Sequence, residues 1–278
     1  MTFLARMAES SRERVRAARA KESEAALERR ALAQPPAPAL TLDSFDVIAE
    51  LKLRSPAAGT LATRDFDPRA QLTSYVRGGA AAVSVLTEPT EFKGELAHLA
   101  AAADELARVR RPAMRKDFLV DAYQVLEARA AGAGGVLVIL AMLDDATVGE
   151  LVDCAQRCGM FVLLEAFDRA DLERLAPYDR PQAAGPLVLA GVNCRDLRDL
   201  QVRFPRFAEL APFLPRHLPA VAESGIGSSA DIEAVAAANY RLALIGSALM
   251  RSADAARTLG EWLAAGRAAT LRSLKSCS

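Results

Sequence analysis

Residues 112–165 read PAMRKDFLVDAYQVLEARAAGAGGVLVILAMLDDATVGELVDCAQRCGMFVLLE, and the fold turns on how this stretch is parsed. It holds three short apolar runs of the kind that form buried strands, at 112–116, 135–140 and 161–165. Between them, 122–131 and 145–158 carry apolar residues at helical spacing. Continuous apolar strands alternating with helices mean a parallel sheet whose outer face is covered.

Outward from this stretch the same unit recurs. Strand-like runs lie at 47–52, 81–86, 187–193, 219–223 and 241–246. Helical periodicity marks 69–77, 96–109, 169–175, 204–213, 229–238 and 253–265. The strand starts are spaced by roughly 22 to 34 residues. Eight strand–helix units over about 240 residues fit one closed (β/α)8 barrel, whose usual size is about 250 residues. A doubly wound open sheet usually has fewer strands and often a glycine fingerprint after the first. Here the first strand runs into Leu53-Arg54-Ser55-Pro56, and neither G-x-G-x-x-G nor a P-loop occurs.

The predicted class is therefore α/β: a TIM barrel over 41–267, an N-terminal helical extension over 1–40 and a short tail at 268–278. In the extension, residues 5–32 lack Gly and Pro and are rich in Ala, Arg and Glu. They read as one or two charged helices with an apolar edge at Leu4, Met7, Val15 and Leu27. PPAP at 35–38 then breaks the helix.

Composition narrows the function. The 278 residues carry 35 Lys+Arg against 35 Asp+Glu, and a nucleic-acid binder needs a net basic field. Hydrophobic residues at 51% and charged residues at 25% are globular values. The longest apolar runs, as at 134–143, fall short of the about 20 residues a membrane span requires. The opening MTFLARMAES has no apolar stretch long enough for a signal peptide, and Glu9, Glu13, Glu22 and Glu24 count against a mitochondrial leader. A cytoplasmic location is expected, with a monomer and a homodimer both open.

Cys154 and Cys158 are four apart on a predicted helix, not at zinc-knuckle spacing, and read as free structural thiols. Only His98 and His217 could serve a histidine-based triad or metal cluster. No metal and no cofactor are expected, so the chemistry falls to Lys, Glu, Arg and Asn.

In a parallel barrel the loops after the strands form one mouth, where active sites lie. Glu50 and Lys52 are two apart on the first strand and so point the same way. Lys116, Glu165, Asn193 and Glu223 end the third, fifth, sixth and seventh strands. Burying an unpaired charge costs several kcal/mol, so charges sunk into strand ends need partners or a function. Either lysine alone also reads as a salt-bridging barrel residue, Glu50 and Glu223 as its partners, and Asn193 as a backbone cap. Six such residues on five strands at one end are not rim solvation. Arg115 should point away from Lys116, toward the helices. Asp117 and Asp196, in turn context, read as structural.

Ser224-Gly225-Ile226-Gly227 and Gly246-Ser247-Ala248 follow the last two strands. Glycine lets an anion approach backbone N–H groups, and barrels often seat a phosphate at these loops. A phosphorylated small-molecule substrate is expected there, with Ser55 adding a hydroxyl. Val85, Leu86, Ile139, Leu140 and Phe118 would supply an apolar surface for an aromatic or hydrocarbon part.

With those residues in hand, IAELKLRSPAAG (48–59), SVLTE (84–88), RPAMRKDFLVDAYQVLEARAAGA (111–133), LLEAF (163–167), GVNCRDL (191–197), VAESGI (221–226) and LIGSALM (244–250) together resemble the indole-3-glycerol-phosphate synthase family. The resemblance is ordered along most of the chain. It implies a (β/α)8 barrel with a helical segment over its mouth. The implied reaction closes the indole ring of 1-(2-carboxyphenylamino)-1-deoxyribulose 5-phosphate, with loss of carbon dioxide and water, in tryptophan biosynthesis.

By motif, Lys116 would be the general acid toward the substrate carbonyl. Lys52 would contact the substrate carboxylate or act as the acid in dehydration, with Glu165 and Glu50 as candidate bases. Asn193 and Glu223 would orient ring and hydroxyls, and Arg195 would bind or buffer charge. Ser55, Ser224, Gly225, Gly246 and Ser247 would hold the phosphate. A lysine has a reference pKa of about 10.4, and a neighbouring cation would lower it and ease proton donation.

The sequence departs from the family pattern at Leu53, Ala57, Ala58, Cys194 and Arg203, which leaves room for a paralogue acting on a substituted anthranilate. A sugar-phosphate isomerase would want a Cys/Asp pair at the first and fifth strand ends, which carry Glu50-Lys52 and Glu165 instead. A non-catalytic barrel would not need all these polar groups.

Overall fold

In the computed structural model every predicted apolar run is a strand. The structure describes residues 2–52, 54–55, 59–60, 66–182, 185–197 and 201–276. The barrel strands are β1 (Asp46–Leu51), β2 (Ala82–Leu86), β3 (Ala113–Lys116), β4 (Gly135–Ile139), β5 (Phe161–Ala166), β6 (Val188–Asn193), β7 (Ala220–Glu223) and β8 (Leu242–Ile245). Each pairs in parallel with the next, and β8 closes on β1. A short antiparallel hairpin, Arg54–Ser55 with Gly59–Thr60, follows β1. The barrel class is thus observed, as the alternation of apolar runs and helices required.

Strand alternation sorts the apolar residues into two clusters. Ile48, Met114, Leu137, Ile139, Leu163, Leu189, Val221, Leu242 and Leu244 fill the barrel interior. Val47, Ala49, Val83, Val85, Val136, Val138, Val162, Leu164 and Val192 face outward against the helices. Each fully buried Leu, Ile or Val contributes about 1.5–3 kcal/mol relative to exposure, so register is held firmly on both faces.

Helices α3 (Pro68–Arg77), α5 (Leu96–Arg108), α6 (Ala122–Ala130), α7 (Asp145–Arg157), α8 (Arg169–Glu173), α9 (Arg206–Leu210) and α10 (Ser229–Ala237) follow successive strands, with one-turn α4 (Pro89–Phe92) ahead of α5. The last unit holds α11 (Ser247–Arg251) and α12 (Ala255–Ser276), which runs unbroken past residue 267.

The charged N-terminal segment forms α1 (Phe3–Arg19) and α2 (Glu24–Leu32), capped by Thr2 and Ser23. Its apolar edge is docked: Met7 joins the barrel-interior cluster, while Val15 and Leu27 join the outer one. The polar face of α1 is fixed to the segment after β3. Arg14 makes a bidentate pair with Asp117, both bonds at 2.8 Å. Arg19 does the same with Asp121, at 2.8 and 2.9 Å. The Ser11 hydroxyl donates to the Phe118 carbonyl, 2.5 Å away. The helix therefore lies across the barrel mouth, and Phe3 reaches its lining.

Arg115 points away from the mouth, as strand alternation predicts. Its guanidinium donates to the Thr87 hydroxyl, the Gln124 carbonyl, Glu127 and Asp117, at 2.7–3.1 Å. No helix among the described residues is long and apolar enough to cross a membrane.

Candidate active site

A cavity of about 290 Å³ opens at the C-terminal ends of the strands. Strand register brings the polar ends to it at matched heights: Leu86 pairs with Lys116, Ile139 with Glu165, and Asn193 with Glu223. Glu50 ends the inward set of β1, and Lys52 follows two residues on. All of these except the neutral spacer positions carry charge or an amide where the strands below carry Leu, Ile and Val.

The ionic contacts form a connected cluster. Lys52 Nζ lies 2.5 Å from Glu50 Oε1. Lys116 Nζ lies 3.5 Å from Glu165 Oε2 and 3.8 Å from Glu223 Oε2. Asn193 Nδ2 donates to Glu165 Oε1 at 3.2 Å, and the Asn193 Oδ1 accepts the Arg195 backbone N–H at 2.9 Å. The carboxylates of Glu50, Glu165 and Glu223 are buried. Burial alone would raise the Glu50 carboxyl, but the ammoniums of Lys52 and Lys116 outweigh it and hold it below its usual value. For Glu223, burial and the adjoining Glu165 charge both push upward, and against the pull of Lys116 the carboxyl stands well above the usual range.

Lys116 departs from the sequence expectation. A neighbouring cation was expected to lower it; instead it is raised. Burial disfavours its charge, yet Glu165, Glu223 and Glu50 together stabilise the ammonium by more. Glu165 and Glu223 stand 3.5 and 3.8 Å from its Nζ, a proximity that sequence spacing does not reveal.

One wall of the cavity is aromatic. Phe118 packs edge-on against Phe3 from α1 with centroids 5.8 Å apart, and tilted against Phe92 at 6.2 Å. Phe92 owes its place to α4, where the buried Glu88 caps three successive N–H groups of residues 90–92. Leu86, Leu137 and Ile139 continue the apolar wall. Leu140 and Val85, expected here, do not contribute. Both belong to the outer cluster: Val85 alternates with the inward Leu86 on β2, and Leu140 lies past the end of β4, where the chain turns into a 3₁₀ segment.

The opposite wall is made of backbone turns. Ser224 and Gly225 adopt consecutive left-handed conformations, φ 69° and 72°. A side chain at 225 would also meet Val202 and the Cys194 sulfur, so glycine is required twice over. The Cys194 thiol donates to the Ser224 carbonyl at 3.3 Å, and burial pushes it up to about 11, so it braces the turn as a neutral thiol. Gly246 admits the Glu50–Lys52 pair: a Cβ there would run into Glu50 Oε1 and Lys52 Nζ. Ser247, Ala248 and the exposed Arg251 complete this side.

Arg251, Phe3 and Phe92 escaped sequence reasoning. Arg251 lies one residue beyond the LIGSALM motif, and the two phenylalanines reach the mouth only through tertiary packing. Asp196 is structural, pairing with Arg203 at 2.9 Å and Arg206 at 3.4 Å. Leu53, Ala57 and Ala58 lie outside the described residues, as does the side chain of Ser55. Among the described residues no group of three or more His, Cys, Asp or Glu is arranged to hold a metal ion. The site can offer two ammoniums as acids, carboxylates as bases, an aromatic slot and the backbone turns at Ser224–Gly227 and Gly246–Ala248.

The family model described as indole-3-glycerol phosphate synthase matches residues 4–261. The indole-3-glycerol phosphate synthase of a Nocardioides species is 42% identical over 219 residues, covering 79% of this chain and 80% of the relative. That of Micrococcus luteus is 45% identical over 205 residues, covering 74% and 72%. Among solved structures, 3-hexulose-6-phosphate synthase from Salmonella typhimurium matches with a TM-score of 0.61 over 82% of this chain and all 100% of that one. At 14% identity that likeness is one of fold alone.

Proposed function

The chain belongs to the indole-3-glycerol phosphate synthase family, and from that premise we propose how its residues divide the reaction. The reaction is closure of the indole ring of 1-(2-carboxyphenylamino)-1-deoxyribulose 5-phosphate, with loss of carbon dioxide and water, a step of tryptophan biosynthesis. Both substrate and product are water-soluble phosphates, which suits an enzyme of the cytoplasm.

The substrate phosphate sits against the Ser224–Gly225 and Gly246–Ser247 backbone, with Ser55 adding its hydroxyl and Arg251 its charge at the rim. The anthranilate ring fills the slot of Phe3, Phe118, Leu86 and Ile139. Lys116 protonates the ketose oxygen as the ring carbon attacks the carbonyl carbon. The carboxylate then leaves as carbon dioxide, its bonding pair returning to the ring. Loss of the resulting hydroxyl as water and of one proton completes the indole.

Lys52 meets the substrate carboxylate or supplies the acid for dehydration, with Glu165 and Glu50 as the bases. Asn193 holds Glu165 and, with Glu223, orients the hydroxyls; Arg195 balances charge at the same edge. General acid–base groups of this kind each contribute about 10²–10⁴-fold. The observation that carries the reading is Lys116 held between Glu165 and Glu223, beside an aromatic wall and opposite the backbone cradle.

Incubating the purified protein with the carboxyphenylamino deoxyribulose phosphate tests it. Indole fluorescence should rise in step with carbon dioxide release. A folded protein that yields neither overturns the reading.

A further inference from the structure

Three buried glutamates share the cavity, and they are not equally supported. Glu50 has Lys52 at 2.5 Å. Glu165 has Lys116 at 3.5 Å and the Asn193 amide at 3.2 Å. Glu223 has neither: both of its oxygens are buried without a hydrogen-bond partner, and its nearest cation, Lys116 at 3.8 Å, is already turned to Glu165. Its carboxyl adjoins that of Glu165.

A fully ionised carboxylate with no donor, beside a second carboxylate, carries the full desolvation cost of a buried charge plus like-charge repulsion. A single proton between the two removes both penalties. It gives Glu223 an O–H to donate and leaves Glu165 as the anion its own donors already favour.

We infer that Glu165 and Glu223 form a proton-sharing pair, with the proton resident on Glu223, which thereby positions and tempers Glu165 rather than merely orienting substrate hydroxyls. The charged groups that line the cavity with Glu223 are Lys116 from β3 and Asp117 after it, Glu165 from β5, Glu50 from β1 and Lys52 after it, Arg195 after β6 and Arg251 from α11. The register partner of Glu223 on β8 is Leu244, and on β6 Gly191 leaves room for its Oε1. The catalytic meaning of the pair rests on Glu165 acting as a base, but its protonation is a property of the free enzyme and is read without turnover. In such a pair the titration belongs to both members, and the form with one proton persists to well above the ordinary carboxylate range.

Infrared difference spectra of the ligand-free enzyme, wild type minus Glu223→Gln, test this at neutral pH. The expected result is a carboxylic-acid C=O band present in wild type and lost in E223Q. The alkaline limb of the kcat/KM profile should also move to higher pH in E223Q, because the carboxyl that loses its proton there is gone. A Glu165→Gln protein serves as the control for which residue holds the proton. Two results overturn the inference: no acid band in wild type with an unmoved alkaline limb, or a band that survives E223Q and disappears in E165Q. If the enzyme shows no synthase turnover at all, the infrared arm still decides the protonation, so the two readings fail separately.

Discussion

Lys116 and Arg115 are neighbours on one strand, and each sits in a buried ionic cluster, yet the clusters are built on opposite plans. Outside the barrel, Asp117 accepts from Arg14, Arg115, Thr87 and the Phe118 N–H, every bond between 2.8 and 3.1 Å. Inside, Lys116 stands 3.5 and 3.8 Å from its carboxylates, and Glu223 has no donor. In the outer cluster both Asp117 oxygens are satisfied, and the contacts of Arg14, Arg115 and Asp117 join α1, β3 and α6 into one body. The inner cluster keeps unspent hydrogen-bonding capacity, open to a shared proton in the free enzyme and to a polar ligand in the cavity. Asp117, a buried carboxylate with every oxygen paired, serves structure; Glu223, a buried carboxyl with neither oxygen paired, lies in the reacting site.

The contrast breaks if substitutions in the two clusters act alike. Glu165→Gln should lower turnover by about 10²–10⁴-fold while leaving the midpoint of denaturant unfolding unchanged or raised. Arg115→Met should do the reverse in kind. It strips Asp117 and Glu127 of a partner and should cost about 3–5 kcal/mol of stability by urea unfolding.

Acid separates the clusters further. Burial would raise the Asp117 carboxyl, but the bonds from Arg14, the Arg115 charge and the Phe118 N–H hold it well below the usual carboxylate range. The stability this provides is present above about pH 4 and is lost as the pH falls toward the depressed folded value. Removing the guanidinium in Arg14→Ala should let Asp117 protonate earlier, so acid unfolding begins at a higher pH, as followed by circular dichroism. The smallest effect compares the last residue of β4 with the one that follows it. Ile139→Ala should raise KM by about tenfold through the aromatic slot, whereas Leu140→Ala should leave KM unchanged and only weaken packing.

Strand positions were legible because each apolar run is short, continuous and followed by a helix-spaced segment. The convergence of Glu50, Lys52, Lys116, Glu165, Asn193 and Glu223 followed from counting strand ends. Leu140 failed at the boundary: β4 stops at Ile139 and the chain turns into a 3₁₀ segment, Leu140–Met142. Phe3 and Phe92 were out of reach because their places depend on α1 docking and on the Glu88 cap. The direction of the Lys116 shift was hidden for the same reason, since it depends on which of several charges lies nearest in space.

Replacing Lys116 with methionine tests the central claim most directly, since it keeps length and apolar bulk while removing the ammonium. With folding checked by circular dichroism and substrate binding by quenching of protein fluorescence, Lys116→Met should bind yet turn over at least about 100-fold more slowly. A folded, substrate-binding K116M protein with near-normal turnover would contradict the account.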